Sequence, residues 1–147
     1  MKYARLAMSS NAELLLDTSA AIALVDPASP HHDSVLAATS GHLLGLSGHV
    51  AFEFWSVLTR LPFPMRITSA DANRLITVNF PGTKYLEAGA TAELIGEFAQ
   101  LGIVGGAVYD ALVAACARAH RLPLLTCDRR AEPTYKALAV NYRLTGV

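Results

Sequence analysis

Short apolar runs that end in an acidic residue are the feature that most constrains the fold of this chain. Leu14-Leu15-Leu16 is followed by Asp17, and the run 123–127 is followed by Asp128. Such runs suit strands that are buried on both faces, as the strands of parallel sheets are. Segments with helical spacing and helix-capping residues separate the runs. The alternation predicts an α/β fold with a mostly parallel central sheet.

The predicted elements follow one another without a linker or an internal repeat. We expect Thr18 or Ser19 to cap the first helix, Ser47 to cap the third, and Thr91 to open the fifth. Proline and glycine residues end several of the helices. The predicted strands are 14–16, 42–46, 123–126 and 140–144, and the predicted helices are 20–25, 31–39, the segment between Ser47 and Pro62, 69–78, 92–101, 107–120 and 131–138.

Composition limits the class of protein. Of the 147 residues, 52% are apolar and 16% are charged, which is too apolar for a disordered chain. A chain of this length buries roughly 70% of its unfolded surface. We expect residues 1–13 to be a loosely ordered leader rather than a signal peptide, and residues 14–147 to form one domain. No apolar run reaches the ~20 residues of a membrane span, and Cys116 and Cys127 are expected to be buried, reduced thiols, so a cytoplasmic location is predicted.

The charge is balanced overall but uneven along the chain. Twelve basic and twelve acidic residues give a net charge of zero, which argues against a protein that coats polyanions. Residues 118–147 contain six basic side chains against Asp128 and Glu132, so this end carries +4 and the remainder −4. A basic end can contact phosphates, or it can be an ordinary solvated face, which the charge counts alone favour.

Four acidic residues from distant segments are predicted to meet at one edge of the sheet. Asp17 and Asp128 follow strands, whereas Glu53 and Asp110 lie early in helices. Ligands of open α/β sheets bind at the carboxyl ends of the strands, where those helices begin. Glu53 and Asp110 have apolar neighbours in the chain, so burying them without a cation is expected to be costly. Clustered carboxylates favour Mg²⁺ or Mn²⁺ over zinc.

Each acid also has an ordinary structural explanation. Asp17 suits the N-cap of a helix, Asp110 suits the first turn of a helix, and Asp128 suits a turn. On the sequence alone these alternatives stay open. The histidines show neither an HExxH motif nor a Cys/His cluster with zinc spacing. His49 lies one helical turn before Glu53 and can face the same acidic edge.

The motifs around these acids resemble those of a known family. They are LLLDTS at 14–19, Phe52-Glu53 within a helix, Gly-Gly-x-x-Tyr-Asp-Ala-Leu at 105–112, and Leu-Leu-Thr-x-Asp-Arg-Arg at 124–130. In this order they resemble the PIN-domain family, and most of all the VapC toxins of toxin–antitoxin pairs. The resemblance runs from Leu14 to Val147. Each motif is common by itself, but four in this order are specific.

The resemblance implies a three-layer α/β/α PIN-like domain and a Mg²⁺- or Mn²⁺-dependent endoribonuclease that leaves a 5′-phosphate and a 3′-hydroxyl. It assigns Asp17, Glu53, Asp110 and Asp128 to a catalytic acidic quartet that holds the metal. Thr126 matches a hydroxyl position near the last acid, where it would hydrogen-bond a carboxylate or a metal-bound water. The chemistry suits these residues because a divalent ion neutralises the anionic phosphodiester and lowers the pKa of a bound water.

Substrate and partner are further expectations. Arg129 and Arg130 directly follow Asp128 and are expected to contact phosphates of the RNA substrate. Tyr135 can stack on a base or belong to the core. The resemblance also implies a VapB-like antitoxin that blocks the acidic pocket, a homodimer, and a toxin–antitoxin hetero-oligomer.

Two other classes of protein compete with the ribonuclease interpretation. The main alternative is a catalytically idle PIN-like module that binds RNA or a protein. Unpaired acids on apolar helix faces argue against it, since a binding module has no need of them. A phospho-acceptor receiver domain would need a lysine at a strand end. Lys84 and Lys136 lie elsewhere in the predicted elements, so this class is disfavoured.

Overall fold

Four short strands and seven helices make up the part of the chain that the structure describes. The structure is a computed structural model, and it describes residues 12–146. The elements in chain order are β1 (Glu13–Leu16), α1 (Thr18–Val25), α2 (His32–Thr39), β2 (Leu43–Leu46), α3 (Val50–Arg60), α4 (Ser69–Asn79), α5 (Ala88–Leu101), α6 (Ala107–Ala119), β3 (Leu124–Thr126), α7 (Glu132–Ala137) and β4 (Tyr142–Leu144). A 3₁₀ turn at Arg129–Ala131 leads into α7.

The strands form one parallel sheet in the order β2-β1-β3-β4. Leu15 of the central strand β1 pairs with Gly45 on one side and with Leu124 on the other. Helices flank the sheet, which confirms the predicted three-layer α/β/α class. The leucines of β1 and β3 are at most 1% exposed. Each such side chain contributes about 1.5–3 kcal/mol when it is fully buried, so these runs form the centre of the core.

The sheet brings two of the four predicted acids to its carboxyl edge. The central strands β1 and β3 end at Leu16 and Thr126, and Asp17 and Asp128 follow within two residues. Hydrogen bonds join the ends of the strands, since the Asp17 backbone N–H donates to the Leu125 carbonyl at 3.1 Å. Parallel strands run in the same direction, so residues that follow them come out at one edge.

Three predicted helix starts are wrong. Ser47 caps no helix, because its hydroxyl is fully buried and donates to the Val113 carbonyl at 2.7 Å, tying the end of β2 to α6. Thr91 lies inside α5, which begins earlier at Ala88, and its hydroxyl donates to the Glu87 carbonyl at 2.9 Å. The cap of α1 is the Asp17 carboxylate rather than a hydroxyl of the next two residues. A tertiary contact thus redirects the Ser47 hydroxyl, whereas the hydroxyl of Thr91 and the cap of α1 use partners nearby in the chain.

Two sequence expectations concern the ends and the thiols of the chain. The leader falls largely on residues 1–11, which lie outside the described residues, and Glu13 already belongs to β1. Cys116 and Cys127 are free and buried, as predicted. Among the helices of residues 12–146, none combines the length and the apolar character that crossing a membrane requires.

Gly45 gives a direct test of the packing at the edge strand β2. A Cβ atom at this position would overlap the Gly82 backbone carbonyl, which has no flexible end to move away. We expect Gly45→Ala to lower the free energy of unfolding by about 1–3 kcal/mol, as overpacking typically does. Urea denaturation followed by circular dichroism measures the change.

Gly96 provides the matched control, since it lies within α5 and a Cβ there meets nothing within 4 Å. Gly96→Ala should be neutral or should raise stability by up to about 1 kcal/mol, because alanine favours the helix. Equal effects of the two substitutions would contradict the packing described for β2.

Candidate active site

The four predicted acids surround one pocket at the carboxyl edge of the sheet. The pocket has a volume of about 240 Å³, and Asp17, Glu53, Asp110 and Asp128 all line it. The remaining lining residues are Thr18, Ser19, Ile22, Val113 and Tyr135. The structure therefore brings the four acids from distant segments of the chain to one pocket.

Asp17 lies at the bottom of the pocket and is only 5% exposed. Its Oδ1 accepts hydrogen bonds from the Ser19 hydroxyl at 2.6 Å and from the Ala20 backbone N–H at 3.0 Å. Its Oδ2 accepts a hydrogen bond from the Tyr135 hydroxyl at 2.8 Å. Burial raises the pKa of the Asp17 carboxyl, and these hydrogen bonds oppose the rise by favouring the charged form. Asp17 is thus both the N-cap of α1 and a member of the acidic pocket.

Asp128 follows the neighbouring strand β3 and is more accessible than Asp17. Its side chain is 38% exposed. Oδ1 accepts the Arg130 backbone N–H at 2.9 Å, so this acid also caps the 3₁₀ turn. Thr126 is fully buried, does not line the pocket, and accepts the Asp128 backbone N–H at 3.0 Å. The Thr126 hydroxyl also lies 3.4 Å from the Ser19 hydroxyl, which donates to Asp17, so two hydroxyl groups link the two acids.

The pKa of Asp110 is affected by burial and by the charges of the other acids of the pocket. It lies in the first turn of α6 and is half-buried. Burial, followed by the charges of Asp17, Asp128 and Glu53, raises the pKa of Asp110 to about 6. The repulsion among the carboxylates is therefore substantial when no cation is bound.

Glu53 differs from the sequence-based expectation. Its apolar neighbours in the chain suggested a buried carboxylate, but the side chain is exposed at the rim of the pocket. Phe54 turns into the core instead, whereas Phe52 stays 66% exposed. The desolvation argument was wrong for Glu53 because an apolar stretch in a helix need not be buried on every face.

Tyr135 is a core residue with a polar end that reaches the pocket. Its relative exposure is 0%, so the hypothesis that it stacks on a base is wrong. Nothing in the sequence indicated its contact with Asp17, because the two residues are 118 positions apart. Arg129 and Arg130 are exposed beside Asp128, and the Arg130 Nε atom lies 3.6 Å from the Asp128 carboxylate.

A second hollow adjoins the acidic pocket and shares Glu53 and Asp110 with it. The ring of His49 stacks on that of Tyr109, with centroids 5.7 Å apart. His49 therefore faces this hollow rather than the acidic pocket. The other lining residues are Phe52, Ser56, Arg60 and Gly106. Sequence reasoning missed the aromatic side chains, which are marked only by their place next to acidic residues.

The donor set of the acidic pocket fits a hard divalent cation. Its ligands would be carboxylate oxygens, which Mg²⁺ and Mn²⁺ prefer. Thr18 Oγ1 is buried at the pocket and has no hydrogen-bond partner among residues 12–146. Within the same residues, no group of three or more acidic, histidine or cysteine side chains is arranged to hold a metal ion as it stands. An open arrangement suits Mg²⁺, which keeps several waters and commonly uses only one or two carboxylates.

Comparison with known proteins identifies the fold. A family model for the PIN domain matches residues 14–137. The chain belongs to the PIN-domain family. This PIN domain is 43% identical over 128 residues to ribonuclease VapC27 of Mycobacterium tuberculosis, and the match covers 87% of this chain and 93% of that protein. The resemblance to VapC-type PIN domains is therefore confirmed.

Solved structures agree with this fold. VapBC2 from Rickettsia felis, bound to a DNA fragment from its promoter, matches with a TM-score of 0.62 at 16% identity, over 90% of this chain and 98% of that one. VapC20 of M. tuberculosis, a toxin that cleaves the sarcin-ricin loop, matches with a TM-score of 0.61 at 22% identity, over 82% and 93% of the two chains. At these identities the likeness establishes the PIN fold.

The raised pKa of Asp110 gives this PIN domain a pH-dependent stability. In the metal-free folded state the pKa is about 6, against an ordinary value of 3.8. Between these values the folded state binds more protons than the unfolded chain, so stability falls as the pH rises through this window. Asp110→Asn removes this contribution. Its Tm should match that of the wild type near pH 4 and exceed it near pH 7, measured by thermal denaturation in excess EDTA.

The quantity to follow is the Tm difference between Asp110→Asn and the wild type at each pH, because groups that titrate equally in both proteins do not change it. A difference that stays constant across the whole pH range would contradict the repulsion described for the pocket.

Proposed function

We propose that this PIN domain is the toxin of a VapBC-like toxin–antitoxin pair and acts as a Mg²⁺- or Mn²⁺-dependent endoribonuclease. The observation that carries the proposal is the meeting of four carboxylates from four distant segments in one pocket. The similarity to a VapC ribonuclease over most of both chains supports the same class of activity. The proposed products carry a 5′-phosphate and a 3′-hydroxyl.

Asp17, Glu53, Asp110 and Asp128 would hold the cation. A bound divalent ion neutralises the phosphodiester, makes the attacking water more acidic and stabilises the leaving oxygen. Asp17 enters the site in a fixed orientation, since hydrogen bonds engage both of its oxygens. Asp128 and Glu53 are more exposed and reach the pocket from its rim. The cation would relieve the repulsion that raises the pKa of Asp110.

RNA would lie across the rim of the pocket. Arg129 and Arg130 are exposed directly after Asp128, where they can contact phosphates next to the scissile one. On the other side, the second hollow presents the exposed rings of Phe52 and Tyr109 beside Arg60. Single-stranded RNA is commonly held by this combination of aromatic faces and basic groups. A path from the arginines across the acids to the aromatic rings therefore supports RNA as the substrate.

The proposed partner is a VapB-like antitoxin. A metal-free pocket with four acids attracts a basic side chain, so an arginine of the antitoxin would compete with the cation. The fold matches VapBC2 of Rickettsia felis over almost the whole of that chain. We extend the proposal to a homodimer and a toxin–antitoxin hetero-oligomer, which large exposed apolar side chains such as Ile95 and Val104 support. Free, buried cysteines fit a cytoplasmic location.

Substitution of single acids tests the metal-dependent activity. Asp17→Asn and Asp110→Asn keep the size of each side chain but remove a negative charge from the pocket. We expect either variant to lose RNA cleavage by at least about 100-fold while it remains folded, since metal-assisted hydrolysis depends on these oxygens. The assay incubates total RNA with purified protein in Mg²⁺, Mn²⁺ or EDTA and maps the new 5′ ends.

Asp33→Asn is the matched control, because Asp33 is exposed in the first turn of α2 and does not line the pocket. It should cleave at the wild-type rate. Cleavage by either pocket variant at the wild-type rate would contradict the assignment of the metal site. RNA binding by the wild type without cleavage in any metal would favour the catalytically idle module.

The arginines after Asp128 give a separate test of the RNA path. We expect Arg129→Ala/Arg130→Ala to weaken RNA binding and to reduce the slope of log K against log salt by about 1–2. The slope falls because RNA binding releases fewer counterions when phosphate contacts are lost. Binding is measured by fluorescence anisotropy in Ca²⁺ at several salt concentrations.

The control is Arg66→Ala/Arg74→Ala, which removes two exposed basic side chains outside both pockets. It should leave the salt slope unchanged. If both double variants reduce the slope equally, the two arginines beside Asp128 are not specific phosphate contacts.

A further inference from the structure

Tyr135 presents one hydroxyl to the most buried acid of the pocket. Its ring is fully buried, and its Oη atom donates to Asp17 Oδ2 at 2.8 Å. Tyr135 belongs to α7, whereas Asp17 follows the central strand β1. The contact therefore joins the sheet edge to a helix from the far end of the chain.

The two oxygens of Asp17 are held by different parts of the fold. Oδ1 accepts the Ser19 hydroxyl and the Ala20 backbone N–H, which both belong to α1 next to it in sequence. Ser19 Oγ in turn accepts the Cys127 backbone N–H at 2.9 Å. The start of α1, tied to the residue that follows β3, thus holds Oδ1. The orientation of Oδ2 depends on the hydroxyl of Tyr135.

The position of that hydroxyl is itself well defined. The rings of Tyr135 and Tyr142 meet edge to face, with centroids 5.7 Å apart. The Tyr142 hydroxyl donates to Glu132 Oε1 at 2.9 Å, away from the pocket. A buried aromatic ring in close packing has few alternative rotamers. The packing of the ring therefore holds the Tyr135 hydroxyl at one position beneath the pocket.

We propose that Tyr135 is a positioning residue that holds the Asp17 carboxylate in one orientation and so sets the affinity of the pocket for a divalent cation. The inference rests on the proposed function, because it assigns a role in the same acidic site. A carboxylate whose two oxygens both accept hydrogen bonds loses little further rotational freedom when it binds a cation, because its orientation is set in advance. Hydrogen-bond partners of metal ligands typically change metal affinity or activity by 10–100-fold.

Tyr135→Phe tests the role with the smallest change, since it removes the oxygen and keeps the ring. We expect the Kd for Mn²⁺, measured by isothermal titration calorimetry on the purified protein, to rise by about 10-fold or more. RNA cleavage should fall strongly at limiting Mn²⁺ and recover towards the wild-type rate at saturating Mn²⁺. A residue that only filled space in the core would not produce this dependence on metal concentration.

Tyr142→Phe is the matched control. It removes a hydroxyl from the neighbouring ring, whose partner Glu132 does not line the pocket. Its Kd for Mn²⁺ should stay within twofold of the wild type. Thermal denaturation comes first and gives a temperature at which the wild type and both variants are folded, and all titrations are run there.

The outcomes separate this inference from the proposed function. If the wild type binds Mn²⁺ and Tyr135→Phe binds it equally well, the positioning role is overturned and the ribonuclease proposal stands. Equal weakening by the two tyrosine variants also overturns it, because the effect would then come from general loosening of the core. If the wild type neither binds Mn²⁺ nor cleaves RNA, the proposed function fails, and this inference fails with it.

Discussion

The rest of the site depends on the Asp17 carboxylate, which is almost completely buried at the carboxyl edge of the parallel sheet. Burying a charged group is costly unless hydrogen bonds replace its lost hydration. Asp17 receives such bonds from Ser19, Ala20 and Tyr135, which belong to α1 and α7. Those donors are themselves placed by the packing of both helices around the sheet. The core is therefore also the support of the pocket, and changes deep in the fold can reach the acids.

Capping and the acidic pocket use the same atoms in this protein. Asp17 caps α1 and Asp128 caps the 3₁₀ turn, while both line the pocket with Asp110. The ordinary structural explanations and the functional ones are therefore compatible for these two acids. Without a bound cation the carboxylates repel one another, and both burial and the charges of the other acids raise the pKa of Asp110. Conflict of this kind between local stability and charge is typical of functional sites.

Much of the architecture could be predicted because its signals are local. Short apolar runs such as Leu14-Leu15-Leu16 favour buried strands of a parallel sheet, and acids that follow parallel strands emerge at the same edge. The predictions were wrong for polar side chains whose hydrogen-bond partner or exposure depends on residues distant in the chain. Ser47 bonds to Val113 rather than to its own helix, and Glu53 is exposed although its neighbours are apolar. Neither result can be inferred from spacing, because each depends on which elements pack nearby.

The sequence by itself determined the α/β class, the parallel sheet and the identity of the acids, because hydrophobic periodicity and residue order act over a few positions. Only the tertiary structure decided how those acids are held. It placed Tyr135 beneath Asp17, buried Thr126 where its hydroxyl accepts the Asp128 backbone N–H, and brought the rings of His49 and Tyr109 together beside the pocket. The physical reason is that such contacts join residues far apart in the chain, and their distances are set by the packing of whole helices against the sheet.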